Sequence, residues 1–157
     1  MKTNQMTVKK MQDTIEKLSH DSVFGCYTRQ AVELRWSEFS LGAHAVIFID
    51  IDDMHSLNAK FGYNGVDERI KTSISNHRKN DVIAGRYYSG DEIIFIIHNE
   101  KIVQCAERIQ SNFISNGLSV TIGISTQIEN TLQDTVKPAM NLVQDAKKNN
   151  RRGSINY

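Results

Sequence analysis

Val8, Met11, Ile15 and Leu18 recur at spacings of three, four and three, with Lys, Asp and Glu on the intervening face. This pattern predicts an amphipathic helix. The same spacing equals two heptads of a coiled-coil seam, too short to hold alone. Two readings stand: a terminal helix packed on its own domain, or a short self-association stub. A second helical stretch follows Asp21–Arg29 and runs through Ala31, Val32, Leu34, Arg35 and Trp36. Ala45–Val46–Ile47–Phe48–Ile49 is an unbroken apolar run, as in a central strand covered on both faces. It ends in Asp50–Ile51–Asp52–Asp53. A polar helix is predicted from about Tyr63 to Arg78, with Val66, Ile70 and Ile74 on one face.

Two apolar segments, Val82 to Tyr88 and Ile93 to His98, flank Ser89–Gly90–Asp91–Glu92 and predict a hairpin. A helix from about Ile102 to Ile114 ends at Asn116–Gly117. Leu118 to Ser125 reads as a strand, and Pro138 suits the first turn of a last helix running to about Asn149. The order α, α, β, α, β–β, α, β, α contains a βαββαβ core. The fold class is therefore α+β: a ferredoxin-like or palm sheet with one antiparallel hairpin, helices packed on one face, and an N-terminal helix in front. Residues 1–19 form that helix and residues 20–157 a single domain.

A chain of 157 residues suits one domain. Its net charge of +1 is not the balance of a protein that grips a DNA or RNA duplex by broad phosphate neutralisation. No apolar stretch approaches the ~18 residues a membrane span needs. The polar N-terminus and two cysteines, Cys26 and Cys105, fit a soluble cytoplasmic protein.

Two acidic clusters carry the chemistry. Asp50–Ile51–Asp52–Asp53 closes a buried strand, and Asp91–Glu92 sits in the neighbouring hairpin turn. Either alone could be a set of solvated loop acids. Together, at adjacent strand ends, they can converge into a hard-oxygen site for Mg²⁺ (or Mn²⁺). Two such ions clamp a triphosphate and stabilise its leaving pyrophosphate.

Five ordered motifs now carry a resemblance. Phe48–Ile49–Asp50–Ile51–Asp52, followed by Asn58, Gly62 and Asp67, resembles the FxDIDxFKxINDxxGHxxGD signature of GGDEF domains, the diguanylate cyclases. Tyr88–Ser89–Gly90–Asp91–Glu92–Ile93 is similar to YGGDEF, and Asp21 to Arg29 to DxLTGLxNR. Ser119–Val120–Thr121–Ile122–Gly123–Ile124–Ser125 is similar to the family's SIGIA strand, and Ala146–Lys147 with Arg151 to its AKxxGR helix. The resemblance implies a cyclase that joins two GTP into cyclic di-GMP and two pyrophosphates, using two Mg²⁺ (or Mn²⁺) ions per site across a homodimer. It implies metal coordination by Asp50, the Ile51 carbonyl and Asp91. It implies that Asp50, Asp91 and Glu92 form the catalytic set, that Asn58 and Asp67 read guanine, and that Lys147 and Arg151 hold the triphosphate. At spacing four, those two cations would share one helical face. Their plain alternative is a basic helix end complementing the dipole.

The chain departs from the signature at Ser89 for Gly, Ile93 for Phe, and His55 where the family often has Lys; His55 takes that place among the substrate-binding residues. Arg78–Lys79–Asn80–Asp81 reads as RxxD, the family's product-inhibition motif, with Arg78 and Asp81 as its allosteric pair. Val82 to Tyr88 separate it from the signature by more residues than is usual in the family. No sensory module is recognised, which leaves two expectations: a free-standing cyclase, with a separate sensor protein as its partner, or a fragment of something longer. Two other functions stay in view. One is a catalytically weak GGDEF-like module that binds GTP or cyclic di-GMP. The other is a cyclic oligonucleotide synthase of the CRISPR-polymerase kind, working on ATP.

Overall fold

A computed structural model describes residues 2–77, 81–88 and 90–157. The N-terminal helix α1 spans Lys2–Leu18. Two short helices follow, α2 (Arg29–Leu34) and α3 (Trp36–Phe39), and lead into strand β1 (Ala45–Ile51). Helix α4 (Met54–Ser75) precedes the hairpin of β2 (Val82–Arg86) and β3 (Glu92–Ile97). Helix α5 (Ile102–Ser115), strand β4 (Val120–Ser125), helix α6 (Leu132–Lys148) and the two-residue strand β5 (Ile155–Asn156) complete the chain.

The strands form one sheet in the order β2-β3-β1-β4-β5, antiparallel except where β5 runs parallel to β4. The first four carry the βαββαβ connectivity expected from the sequence. Helices cover both faces, however, not one. Ile47, Ile49, Phe95 and Ile122 join Val66 and Ile70 of α4 and Ile109 and Phe113 of α5 in one core. Val46, Phe48, Ile94 and Ile96 join Trp36, Val136, Ala139 and Val143 in a second. The cause lies in β1 and β3. With no polar alternation in their centres, both faces must be shielded from water.

Four features differ from the sequence reading or decide between its alternatives. Helix α4 starts at Met54, capped by the Asp53 side chain, and is kinked at Gly62 (φ 73°, ψ 162°). The polar stretch before Tyr63 hides its first segment, and only Gly takes that backbone freely. Pro138 lies in the second turn of α6, because the helix begins earlier, at a cap where the Thr131 hydroxyl accepts from the Asp134 amide. Strand β5 is too short to show a period. Finally, α1 does not bury its stripe: Val8, Met11, Ile15 and Leu18 are 52–75% exposed. Gly117 (φ 77°) does end α5 as expected, with the Leu118 amide donating to the Phe113 carbonyl. Among the described residues no helix is long and apolar enough to cross a membrane.

Candidate active site

Strand β1 aims Asp50 at the site. Period-two alternation puts Val46, Phe48 and Asp50 on the face that packs against α6. At this end of the sheet Asp50 is paired with Glu92 on one side and Thr121 on the other. The Ile51 amide donates to the Asp91 carbonyl at 3.1 Å, so the hairpin turn is tied to the end of β1. The two acidic clusters thus meet, as the sequence anticipates. Glu92 folds back on its turn, with Oε2 accepting from the Tyr88 amide at 3.2 Å. Ser89 lies outside the described residues.

The upstream motif braces this hairpin. Asp21 accepts from the amides of Val23 and Phe24 and pairs with Arg86 at 2.7 Å. The Arg29 guanidinium lies 3.4 Å from the centre of the Tyr88 ring.

Lys147, in the last turn of α6, places Nζ 3.0 Å from Asp50 Oδ2 and 3.5 Å from Asp52 Oδ1. The other Asp50 oxygen, Oδ1, is buried without a hydrogen-bond partner among the described residues. Burial pushes the Asp50 carboxyl up to about 6 and outweighs Lys147, which acts in the opposite direction; Asp91 and Glu92 add to the rise. A desolvated carboxylate with an open oxygen is what a hard cation seeks. Among the described residues no group of three or more His, Cys, Asp or Glu could hold a metal by itself. That donor set still suits Mg²⁺, which usually takes one or two carboxylates and completes its shell with phosphate and water. Asp50 and Ile51 end β1 beside the Asp91 turn, the three positions to which the resemblance assigns metal coordination.

Asp52 is the residue the sequence reading left without a role. It is 5% exposed; Ser119 Oγ donates to its Oδ2 and Thr121 Oγ1 to its Oδ1, both at 2.7 Å. Its amide donates to the Ser119 carbonyl at 2.9 Å. The signal was available in two places: the second carboxylate of the DID run, and hydroxyls at alternate positions 119 and 121.

The remaining predicted residues are placed less tightly. Asn58 and Asp67 lie on α4 to either side of the Gly62 kink, both half-buried. Neither side chain has a hydrogen bond or ion pair among the described residues. His55 is exposed in the first turn of α4. Arg151 corrects the one-face expectation. α6 stops at Lys148, and Asn150 (φ 57°) turns the chain away from the helix. The Arg151 guanidinium instead pairs with Asp145 at 2.6 Å and donates to Asn156 at 2.9 Å. Asp81 accepts from the Asn99 side chain at 3.5 Å, and Arg78 lies outside the described residues.

The fold is shared with solved structures at low identity. SiaD of Pseudomonas aeruginosa, a diguanylate cyclase crystallised with its activator SiaC, superposes with a TM-score of 0.74 at 17% identity, covering 99% of this chain and 67% of its own. The coiled coil and GGDEF domain of DgcB from Caulobacter crescentus, in complex with c-di-GMP, gives 0.69 at 15%, covering 99% and 96%. The S helix-GGDEF-EAL protein LapD of Vibrio cholerae, bound to c-di-GMP, gives 0.77 at 16%, covering 98% and 40%. No curated protein sequence matches the chain. The family model described as "Diguanylate cyclase, GGDEF domain" matches residues 20–153. The chain belongs to the GGDEF domain family.

Proposed function

We propose that the protein is a diguanylate cyclase that condenses two GTP into cyclic di-GMP and two pyrophosphates. The observation that carries this is the buried, open oxygen of Asp50 beside the Asp91–Glu92 turn, with Lys147 at the same strand end. Each 3′-hydroxyl attacks the α-phosphate of the other nucleotide. A P–O bond forms, the bond to pyrophosphate breaks, and the hydroxyl proton leaves to water. Two Mg²⁺ (or Mn²⁺) ions, when bound, supply charge stabilisation for the leaving pyrophosphate. Asp50, Asp91 and the Ile51 carbonyl would hold them, and Glu92 would support the reacting hydroxyl. Lys147, Arg151 and His55 would meet the phosphates.

Asn58 and Asp67, whose side chains make no hydrogen bond or ion pair among the described residues, would pair with guanine. An Asp carboxylate accepts from N1–H and the exocyclic amine, a donor pair that adenine lacks, and buried groups left unpaired reject the wrong base. Each subunit contributes half a site, so a homodimer is required. The exposed α1 seam supports one: β-branched Val8 and Ile15 alternate with Met11 and Leu18, the a/d preference of a parallel two-stranded coil.

The Lys147–Asp50 ion pair also favours a second reading. An ammonium seated on the metal carboxylate suits a weak, nucleotide-binding regulatory module. Incubating the protein with Mg²⁺ and each nucleoside triphosphate, then separating products, decides the matter. Cyclic di-GMP should form from GTP alone and fall at least about a hundredfold in Asp91→Ala, as expected when transition-state charge stabilisation is lost. No product from any triphosphate, with GTP still bound, leaves the regulatory module. A cyclic product from ATP overturns the guanine assignment.

A further inference from the structure

The two carboxylates that face Lys147 are not equivalent. Asp50 keeps one oxygen without a partner among the described residues, whereas both Asp52 oxygens are occupied by hydroxyl donors and the group is 5% exposed. Asp52 is therefore poorly placed to touch a ligand and well placed to fix something that does. Thr121 of β4 and Ser119 just before that strand hold it, while Asp52 itself follows β1, so its orientation is locked to the two central strands. Lys147 comes from α6 on a flexible four-carbon stem and needs a fixed counter-charge to stay in one place. Held only by Asp50, it would lose its partner as soon as that carboxylate turned to a cation.

We propose that Asp52 is a positioning residue for Lys147: its clamped carboxylate, 3.5 Å from the ammonium, gives that cation a second anchor that persists when Asp50 is engaged elsewhere. Asp52 acts through Lys147 on the triphosphate. The inference rests on the cyclase reading for the identity of the nucleotide, but the anchoring itself concerns only phosphate. A buried carboxylate stripped of its cation is strongly unfavourable, which binds the two residues to each other as well as to the ligand.

A double-mutant cycle tests it. Dissociation constants are measured by calorimetry for GTP and, separately, for inorganic tripolyphosphate, each with Mg²⁺. The proteins are wild type, Asp52→Asn, Lys147→Met and the double variant, and their melting temperatures confirm folding. Residues that act as one unit are non-additive. Each single change should weaken binding about tenfold, and the double variant should be no weaker than about tenfold. A purely structural Asp52 gives additive losses, roughly a hundredfold in the double variant, and that result overturns the proposal.

Should Asp52→Asn fail to fold, Thr121→Val replaces it in the cycle, since it frees the carboxylate while leaving its charge, and the same criterion applies. The two readings fail in different ways. GTP binding that disappears in Asp67→Ala, combined with an additive cycle, removes the anchor and leaves the cyclase. Tripolyphosphate binding without GTP binding removes the guanine assignment, and the cycle still decides on Asp52. A wild-type protein that binds neither overturns both.

Discussion

At the scale of single residues, burial decides which charges the fold tolerates. His77, at the end of α4, stacks edge-on against Phe95 with ring centroids 5.0 Å apart. Neither ring nitrogen has a hydrogen-bond partner among the described residues. Burial lowers its pKa to about 4, and the nearby Arg108 adds to the effect. Above pH 6.5 the ring is neutral whether the chain is folded or not, and nothing is lost. As pH falls from 6.5 toward 4, the unfolded chain takes up a proton that the folded ring refuses. Stability should therefore fall over that window by at most about 2 kcal/mol, the full shift being reduced by solvent screening at a half-buried ring. Urea unfolding at pH 7.5 and pH 4.5 checks this, with His77→Leu expected to lose that part of the slope; an unchanged slope rejects it.

The same scale shows what a sequence conveys about a site. Asp50, Asp91, Glu92 and Lys147 were legible because their chemistry falls in ordered motifs. The Asp52 anchor left only separate hints, a second carboxylate and two alternating hydroxyls, because it depends on hydroxyls 67 and 69 positions away along the chain. Only the β1–β4 register brings them together.

Among the elements, the strands were the most legible and the helix ends the least. Continuous apolar runs marked β1 and β3, since burial on both faces leaves no room for polar positions. The same fact required helices on both faces, an implication that the connectivity alone did not carry. The first segment of α4 was lost because Met54, Leu57 and Phe61 are only partly buried and the Gly62 kink interrupts the period. Arg151 looked helical at spacing four from Lys147, yet the chain leaves the helix at Asn150.

Packing between elements yields a sharper expectation. Gly123 of β4 faces α6 so closely that an added Cβ would stand 2.0 Å from the Ala139 carbonyl oxygen. Nothing at that distance can be relieved by a side-chain rotation, because the obstruction is backbone. Gly123→Ala should cost about 3 kcal/mol, the upper range for an overpacked core. The denaturation midpoint measures it, and a loss under about 1 kcal/mol would contradict the packing.

For the whole molecule, the proposed reaction requires two copies to meet, and α1 offers a surface for it. α1 carries exposed Val8, Met11, Ile15 and Leu18, flanked on the seam by uncharged Thr7, Gln12 and Thr14. A flank without charge neither repels a second copy nor selects antiparallel pairing. The helix is tied to the domain near its end, where Tyr27 donates to Glu16 at 3.1 Å and Arg35 pairs with Glu16 at 3.5 Å. Sedimentation at tens of micromolar should show a dimer fraction that drops in Ile15→Lys, since a charge at an a position opposes the seam. An unchanged fraction assigns dimerisation to another surface. The near-neutral total is consistent with this division of labour, with opposite charges concentrated where Asp50 and Asp52 meet Lys147.

The Gly123–Ala139 contact also bears on accuracy of aim. Lys147 lies eight residues further along α6, roughly 12 Å at 1.5 Å per residue. With the glycine as fulcrum, a tilt of a few degrees would swing the ammonium by about 1 Å at the far end of that arm. Missing side-chain bulk at one point of the sheet thus works as a mechanical reference, setting the tolerance with which a distant charge meets its target. Gly123→Ala should therefore weaken tripolyphosphate binding as well as folding, although position 123 touches no ligand.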